Sequence, residues 1–235
     1  MLKVDLHLHT ADDPADTIEH TAATLLDRAA AAGFHALAIT LHDRQLTDPR
    51  VFSHARDRGI VLVPGIERTI AGRHVLLLNY PAVAAESVRT FEDLARLRGR
   101  APGLVIAPHP FFPGASCLRS DLDRHADLFD AVEWSYFWTR ALNFNHPAAA
   151  WARRCGKALT GNSDLHDLRQ LGRTHSLVEA PPDPSAICDA IRENRVSVVT
   201  EPVPSIELAS VFGGMMLCGM RRREPALTGP IAAGR

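Results

Sequence analysis

Chemistry is concentrated at the start of the chain, where Asp5-Leu6-His7-Leu8-His9-Thr10 sets one acid and two imidazoles two residues apart. Along an extended strand residues 5, 7 and 9 point to the same side. Apolar neighbours bury such a strand, and a polar cluster facing a core is costly to desolvate unless a divalent metal satisfies it. Four more sites repeat one arrangement, a ligand-type side chain directly after an apolar run. His42 follows Ala36–Thr40, Glu67 follows Ile60–Ile66, His109 follows Leu104–Pro108, and Asp164 with His166 follows Ala158–Ser163. In parallel α/β barrels the carboxyl ends of the strands form one rim, so residues remote in sequence meet there. Two or three metals about 3.5–4 Å apart would share a hydroxide, lower its pKa toward neutrality and clamp the oxygens of an in-line displacement at phosphorus. Imidazole and carboxylate ligands suit Zn, Mn or Fe better than Mg.

The elements that must position these groups follow from periodicity. Short apolar runs rich in β-branched residues alternate with helical segments, the pattern of βα units around a mostly parallel sheet. Strands are expected at Leu2–Leu8, Ala36–Thr40, Ile60–Pro64, His74–Leu78, Leu104–Ala107, Ala131–Trp134, Lys157–Thr160, Leu177–Glu179 and Val196–Val199. Thr21 is placed to cap a helix over Ala22–Ala32 that stops at Gly33, and Asp183-Pro184 to start one through Ile191. Beyond Pro204, the apolar segment Ile206–Met220 contains Glu207 and three glycines. At about fifteen residues it is too short to span a bilayer and reads as a docking helix. The Gly/Pro/Ala-rich end after Arg221–Arg223 reads as frayed.

Bulk properties narrow the class. The chain has 235 residues, 46% hydrophobic and 23% charged, a balance that suits a soluble folded protein with one main domain. A net charge of −1 provides no basic field for a long polyanion, which favours a small substrate. Cys117, Cys155, Cys188 and Cys218 form no CxxC pair and read as reduced thiols. With no signal-peptide stretch at the amino terminus, a cytoplasmic location is expected. The twelve histidines are about twice the usual complement for this length. His35, His54, His125 and His146 have no motif around them and read as surface or core residues.

With those residues in view, the sequence resembles the PHP domain, named for polymerases and histidinol phosphatases, over most of Val4 to Thr200. DLHLHT resembles the family's first motif, Gly65-Ile66-Glu67 its GIE motif, His109-Pro110 its HP motif and Asn162-Ser163-Asp164-Leu165-His166 its SDxH motif. One motif departs: where TDH is usual the chain has Thr40-Leu41-His42, which removes an acid that would have oriented or tuned that histidine. The resemblance implies a distorted (β/α)7 barrel over residues 1–204, including a C-terminal PHP-associated segment, and the composition of residues 205–235 adds a helix and flexible tail. It implies a first metal on His7, His9, Glu67 and Asp164, with Glu67 bridging to a second ion completed by His74 and His109. A third site would use His42, His166 and one group from Asp12, Asp13, Asp16 and His20, with Asp16 nearest the family spacing. Arg173, in a Gly172-Arg173-Thr174 stretch that the family shares, would suit a phosphate oxygen.

The expected chemistry is hydrolysis of a small phosphate ester: a nucleotide, sugar phosphate, histidinol phosphate or short oligonucleotide. Hydroxide would be held near Glu67 and Asp164, Asp5 would orient a histidine, and His166 or His42 would assist the leaving oxygen. No membrane partner is expected. Two rival readings are an amidohydrolase-like enzyme, opposed by the presence of only Lys3 and Lys157 as carbamylation candidates, and a non-catalytic metal-binding regulatory module. The stretch Trp134–Trp138 reads as barrel packing more readily than as a base-stacking surface.

Overall fold

A computed structural model of the chain describes residues 1–204 and residue 207, and the expected helix over 206–220 and the tail after it lie outside the described residues. The strands are β1 (Leu2–Leu8), β2 (Ala36–Ile39), β3 (Val61–Leu62), β4 (Gly65–Ile70), β5 (Arg73–Leu78), β6 (Leu104–Ala107), β7 (Ala131–Ser135), β8 (Ala158–Asn162), β9 (Thr174–Val178) and β10 (Val196–Thr200). The helices are α1 (Ala22–Ala31), α2 (Pro49–Asp57), α3 (Ala82–Ser87), α4 (Phe91–Arg98), α5 (Ser120–Arg124), α6 (His146–Cys155) and α7 (Pro184–Arg192). The two helix starts read from sequence carry the expected caps. Thr21 Oγ1 accepts from the Thr24 N–H, and Asp183 accepts from Ser185 and Ala186.

The strands form two five-stranded sheets, ordered β10-β9-β1-β2-β3 and β4-β5-β6-β7-β8. The fold is thus mixed α/β as expected, and among the described residues the ladders run as two sheets without closing into one hydrogen-bonded (β/α)7 barrel. Repeated βα units would have given parallel neighbours throughout, but β4 and β5 are antiparallel, as are β5 with β6 and β9 with both β1 and β10. The cause in the second sheet is local. Ala71 and Gly72, both at positive φ (48° and 79°), make a two-residue turn between β4 and β5, leaving no room for a crossover helix.

Apolar side chains from both sheets, among them Val4, Leu6, Ala36, Leu76, Ile106 and Val178, pack into one inner cluster with Ile187 and Ile191 of α7. A second cluster lies between the first sheet and helices α1 and α2, and a third between the second sheet and α4 and α6. The sheets also touch where strands end. Isolated parallel bridges join Leu8 to Leu165 and His42 to Glu67. Gly161 of β8 donates its N–H to Ser176 Oγ on β9 and accepts that hydroxyl's proton at its own carbonyl. These seams hold the ligand-type residues of one sheet against those of the other.

Candidate metal centre

Glu67, on β4 and 1% exposed, is the hub. Its Oε1 lies 2.7 Å from His74 Nδ1 and 3.3 Å from His109 Nε2. Its Oε2 lies 3.4 Å from both His7 Nε2 and His9 Nε2 and 3.0 Å from His42 Nε2. Asp164 faces it, with Oδ1 at 3.4 Å from His7 Nε2 and 3.5 Å from His9 Nε2, and Oδ2 at 4.0 Å from His109 Nε2. His7 and His9 come from the end of β1 and just beyond it, Glu67 from within β4, His74 from the start of β5, and His42, His109 and Asp164 from the segments that follow β2, β6 and β8. Two of these segments are strained: His109 (φ 29°) and Asp164 (φ 48°) hold a left-handed backbone unfavourable to a side chain, a strain that collects at functional sites.

The outward nitrogens are held as firmly as the inward ones are aimed. His7 Nδ1 is 2.9 Å from Glu133 Oε2, His9 Nδ1 2.8 Å and His42 Nδ1 3.0 Å from Asp13 Oδ2, and His109 Nδ1 3.5 Å from Cys117 Sγ. His166 Nδ1 lies 2.9 Å from the Asp164 carbonyl. An imidazole whose Nδ1–H donates outward keeps its Nε2 lone pair for the interior. In His7 and His9 that Nε2 is fully buried and finds no hydrogen-bond partner.

The electrostatics agree with a cation-binding cluster. Burial opposes charge on His7, yet Asp164, Glu67 and Glu133 hold it well above the usual imidazole range. His42 is raised to about 11, Glu67 and Asp13 outweighing burial, and His109 is likewise held high against burial by Cys117 and Glu67. His9 goes the other way, lowered by burial and by His166. Against the effect of burial, the surrounding imidazoles hold Glu67, Asp164 and Asp13 below the usual carboxylate range.

Nine residues expected as ligands (His7, His9, Asp16, His42, Glu67, His74, His109, Asp164 and His166) are therefore gathered in one place, and triads of their donor atoms recur through it. Asp16 lies at the flank, its Oδ2 3.1 Å from His166 Nε2 and 3.7 Å from His42 Nδ1. Asp13 is deeper, joining His9 to His42 and accepting from the backbone of Ala15 and Asp16. Asp12 accepts from Thr10, and His20 donates to the His9 carbonyl. Leu41 is fully buried among Leu8, Leu25 and Ile39, and Asp13 supplies the acidic partner of His42 that a TDH motif would have suggested at position 41.

Other expected roles fall differently. Asp5 accepts from the backbone N–H groups of His7 and Ser163, so the carboxylate on the His7 ring is that of Glu133. Burial raises Asp5 to about 7. Arg173 pairs with Glu207 at 3.2 Å and reaches the Pro202 carbonyl, and among the described residues it makes no hydrogen bond or ion pair with the cluster. Tyr136 and Phe137 are buried and Trp138 Nε1 donates to Thr200, which is packing. His35, His54, His125 and His146 stand apart from the centre, on Lys3, Asp27, Phe91 and Trp134 respectively. Sequence reasoning missed Glu133. Its signal was an acid inside the apolar run Ala131-Val-Glu-Trp134, where burial demands partners.

Residues 143–196 match the family model described as PHP-associated. No curated protein matches the chain. Among solved structures, a two-domain protein from Bacteroides vulgatus containing a predicted PHP-like metal-dependent phosphoesterase is 19% identical, with 91% of this chain and 69% of that chain covered at a TM-score of 0.65. PsfC from Pseudomonas syringae is 21% identical, with 90% of this chain and 96% of that one covered at 0.64. The lesion-specific endonuclease of Pyrococcus furiosus is 17% identical, with 82% of this chain and 56% of that one covered at 0.53. At such identities the likeness is one of fold. The PHP-associated match, confined to residues 143–196, and the PHP-like fold of these structures point the same way as the motif resemblance.

Proposed function

We propose that the chain is a metal-dependent phosphoesterase that hydrolyses a small phosphate ester. The observation that carries this is the pair of buried, unpartnered Nε2 atoms of His7 and His9 aimed at the carboxylates of Glu67 and Asp164. Such an arrangement costs free energy in an empty core and fits a divalent cation. His7, His9, Glu67 and Asp164 would hold one ion, Glu67 with His74 and His109 a second, and His42 and His166 with Asp16 a third. The nitrogen and oxygen donor set suits Zn, Mn or Fe. When bound, the ions supply Lewis acidity toward phosphoryl oxygens and acidify water.

The chain's own residues do the rest. Glu67 presents one carboxylate oxygen to each half of the cluster, which fixes the halves at a constant separation. His42 and His166 keep side chains 13% and 9% exposed, so that either, where it holds no ion, would pass a proton to the leaving oxygen. Among the described residues Cys117, Cys155 and Cys188 form no disulfide, which suits a reducing compartment such as the cytoplasm. No described helix is long and apolar enough to cross a membrane.

Hydrolysis of a generic aryl phosphate by protein stripped of metal and reloaded with Zn, Mn or Fe tests the reading. Turnover should depend on the added ion and vanish in His7→Ala and Asp164→Ala, and activity that survives either substitution sinks it. A screen over nucleotides, bisphosphates, sugar phosphates, histidinol phosphate, short oligonucleotides and lesion-bearing duplex DNA then chooses the substrate. Stoichiometric metal without turnover on any of these would favour a non-catalytic module.

A further inference from the structure

We propose that Glu133 is a positioning residue that sets the geometry of both principal metal sites at once, an inference that rests on the metal-dependent reading above. Glu133 lies on β7 between Val132 and Trp134 and is fully buried. Its carboxylate makes three contacts, each to a residue of the centre or beside it. Oε2 takes the His7 ring at 2.9 Å and the Asn162 amide at 3.2 Å, while Oε1 accepts from the His109 backbone N–H at 3.2 Å.

The two oxygens thus reach the two halves of the cluster. On the first side, the hydrogen bond at Nδ1 selects the His7 tautomer that leaves Nε2 free, and Nε2 is the atom that faces Glu67 and Asp164, 3.4 Å from each. A carboxylate behind an imidazole also makes it a more basic ligand. On the second side, the bond to the His109 N–H pins a residue at φ 29° whose own Nε2 lies 3.3 Å from Glu67 Oε1. A strained backbone of this kind persists only where its surroundings over-determine it. Asn162, which donates to Glu133, also accepts the Leu6 N–H through Oδ1 and so ties the carboxylate to β1.

A glutamine at 133 is nearly isosteric but has a single acceptor oxygen. If its oxygen faces the His109 N–H, its NH2 faces His7 Nδ1, which must then accept. The His7 proton moves to Nε2, where it blocks ligation. If the amide is reversed, the His109 N–H loses its acceptor. Either way one site is spoiled.

The test is chelator-competition titration of metal-free full-length protein with Zn2+, followed by Co2+ absorption spectra, on wild type, Glu133→Gln, Glu133→Asp and Asp130→Asn. Asp130, a buried carboxylate just before the same strand that is bonded to Arg98 and the Val105 N–H, controls for the loss of a buried charge. Glu133→Gln should bind Zn2+ about ten- to a hundred-fold more weakly and show an altered Co2+ spectrum. Glu133→Asp should recover part of the affinity, and Asp130→Asn should match wild type. Wild-type affinity in Glu133→Gln, or an equal loss in Asp130→Asn, overturns the proposal alone. Failure of the wild type to bind Zn2+ or Co2+ overturns the metal-dependent reading and this inference with it.

Discussion

Gly161 offers a sharp test of how the two sheets position the centre. A Cβ there would lie 2.6 Å from the His175 carbonyl oxygen, 2.9 Å from Val198 Cγ1 and 3.1 Å from the His175 carbonyl carbon. Ordinary contact begins near 3.4 Å, so Gly161→Ala must open the seam by about 0.8 Å against backbone atoms that have no rotamer to escape into. Overpacking of this kind costs about 1–3 kcal/mol, which for a chain of this length lowers Tm by about 2–4 °C for each kcal/mol. The shift also moves Asp164, three residues along, relative to His7 and His9, so metal affinity should fall together with Tm. Gly99→Ala is the matched comparison, because Gly99 has helical φ and its nearest atoms stand at 3.7 Å. That change should leave stability unaltered or raise it by about 0.4–1 kcal/mol through the unfolded chain. Calorimetric melting of the metal-free proteins, with Zn2+ titration of each, decides the matter. If Gly161→Ala melts within a degree of Gly99→Ala and binds Zn2+ equally well, the seam does not govern the site.

Asp13→Asn should weaken metal binding by about ten- to a hundred-fold, because one oxygen of Asp13 holds the rings of both His9 and His42 as well as the His42 N–H; equal affinity by chelator competition would remove Asp13 from the account. Metal uptake near neutral pH should release protons. His7, His42 and His109 are held protonated above their usual range in the metal-free fold, and an ion needs the neutral ring. Apparent affinity therefore rises with pH, and titration calorimetry in buffers of different ionisation enthalpy should give heats that differ; identical heats would contradict those protonation states.

Much of this arrangement was legible in the sequence because metal-ligand side chains interrupt apolar runs, and a run that ends in histidine or a carboxylate is hard to mistake. Leu104–Ala107 and its following His109 are the clearest case. The strand that bears Glu67 was not separated, since Ile60–Ile66 reads as one run although Pro64-Gly65 divides it between β3 of one sheet and β4 of the other. Periodicity likewise gave no sign that β9 runs antiparallel beside β1, because alternation along a strand is the same for either direction of pairing. Glu133 escaped for a different reason, and Asp13 was only one of four candidates for the third site. Glu133 is a lone acid without a motif, and its ring partner lies 126 residues away; the link from Asp13 to His42, 29 residues on, likewise needs the folded chain.

The measurement that bears most directly on the central claim is anomalous X-ray scattering from crystals grown with Zn2+ or Mn2+. Peaks should lie about 2.0–2.2 Å from ligand atoms, the first shared by His7 Nε2, His9 Nε2, Glu67 and Asp164 and a second reached by Glu67 and His109. Loaded crystals with no anomalous density between those side chains, or with ions bound only elsewhere on the protein, would contradict that claim.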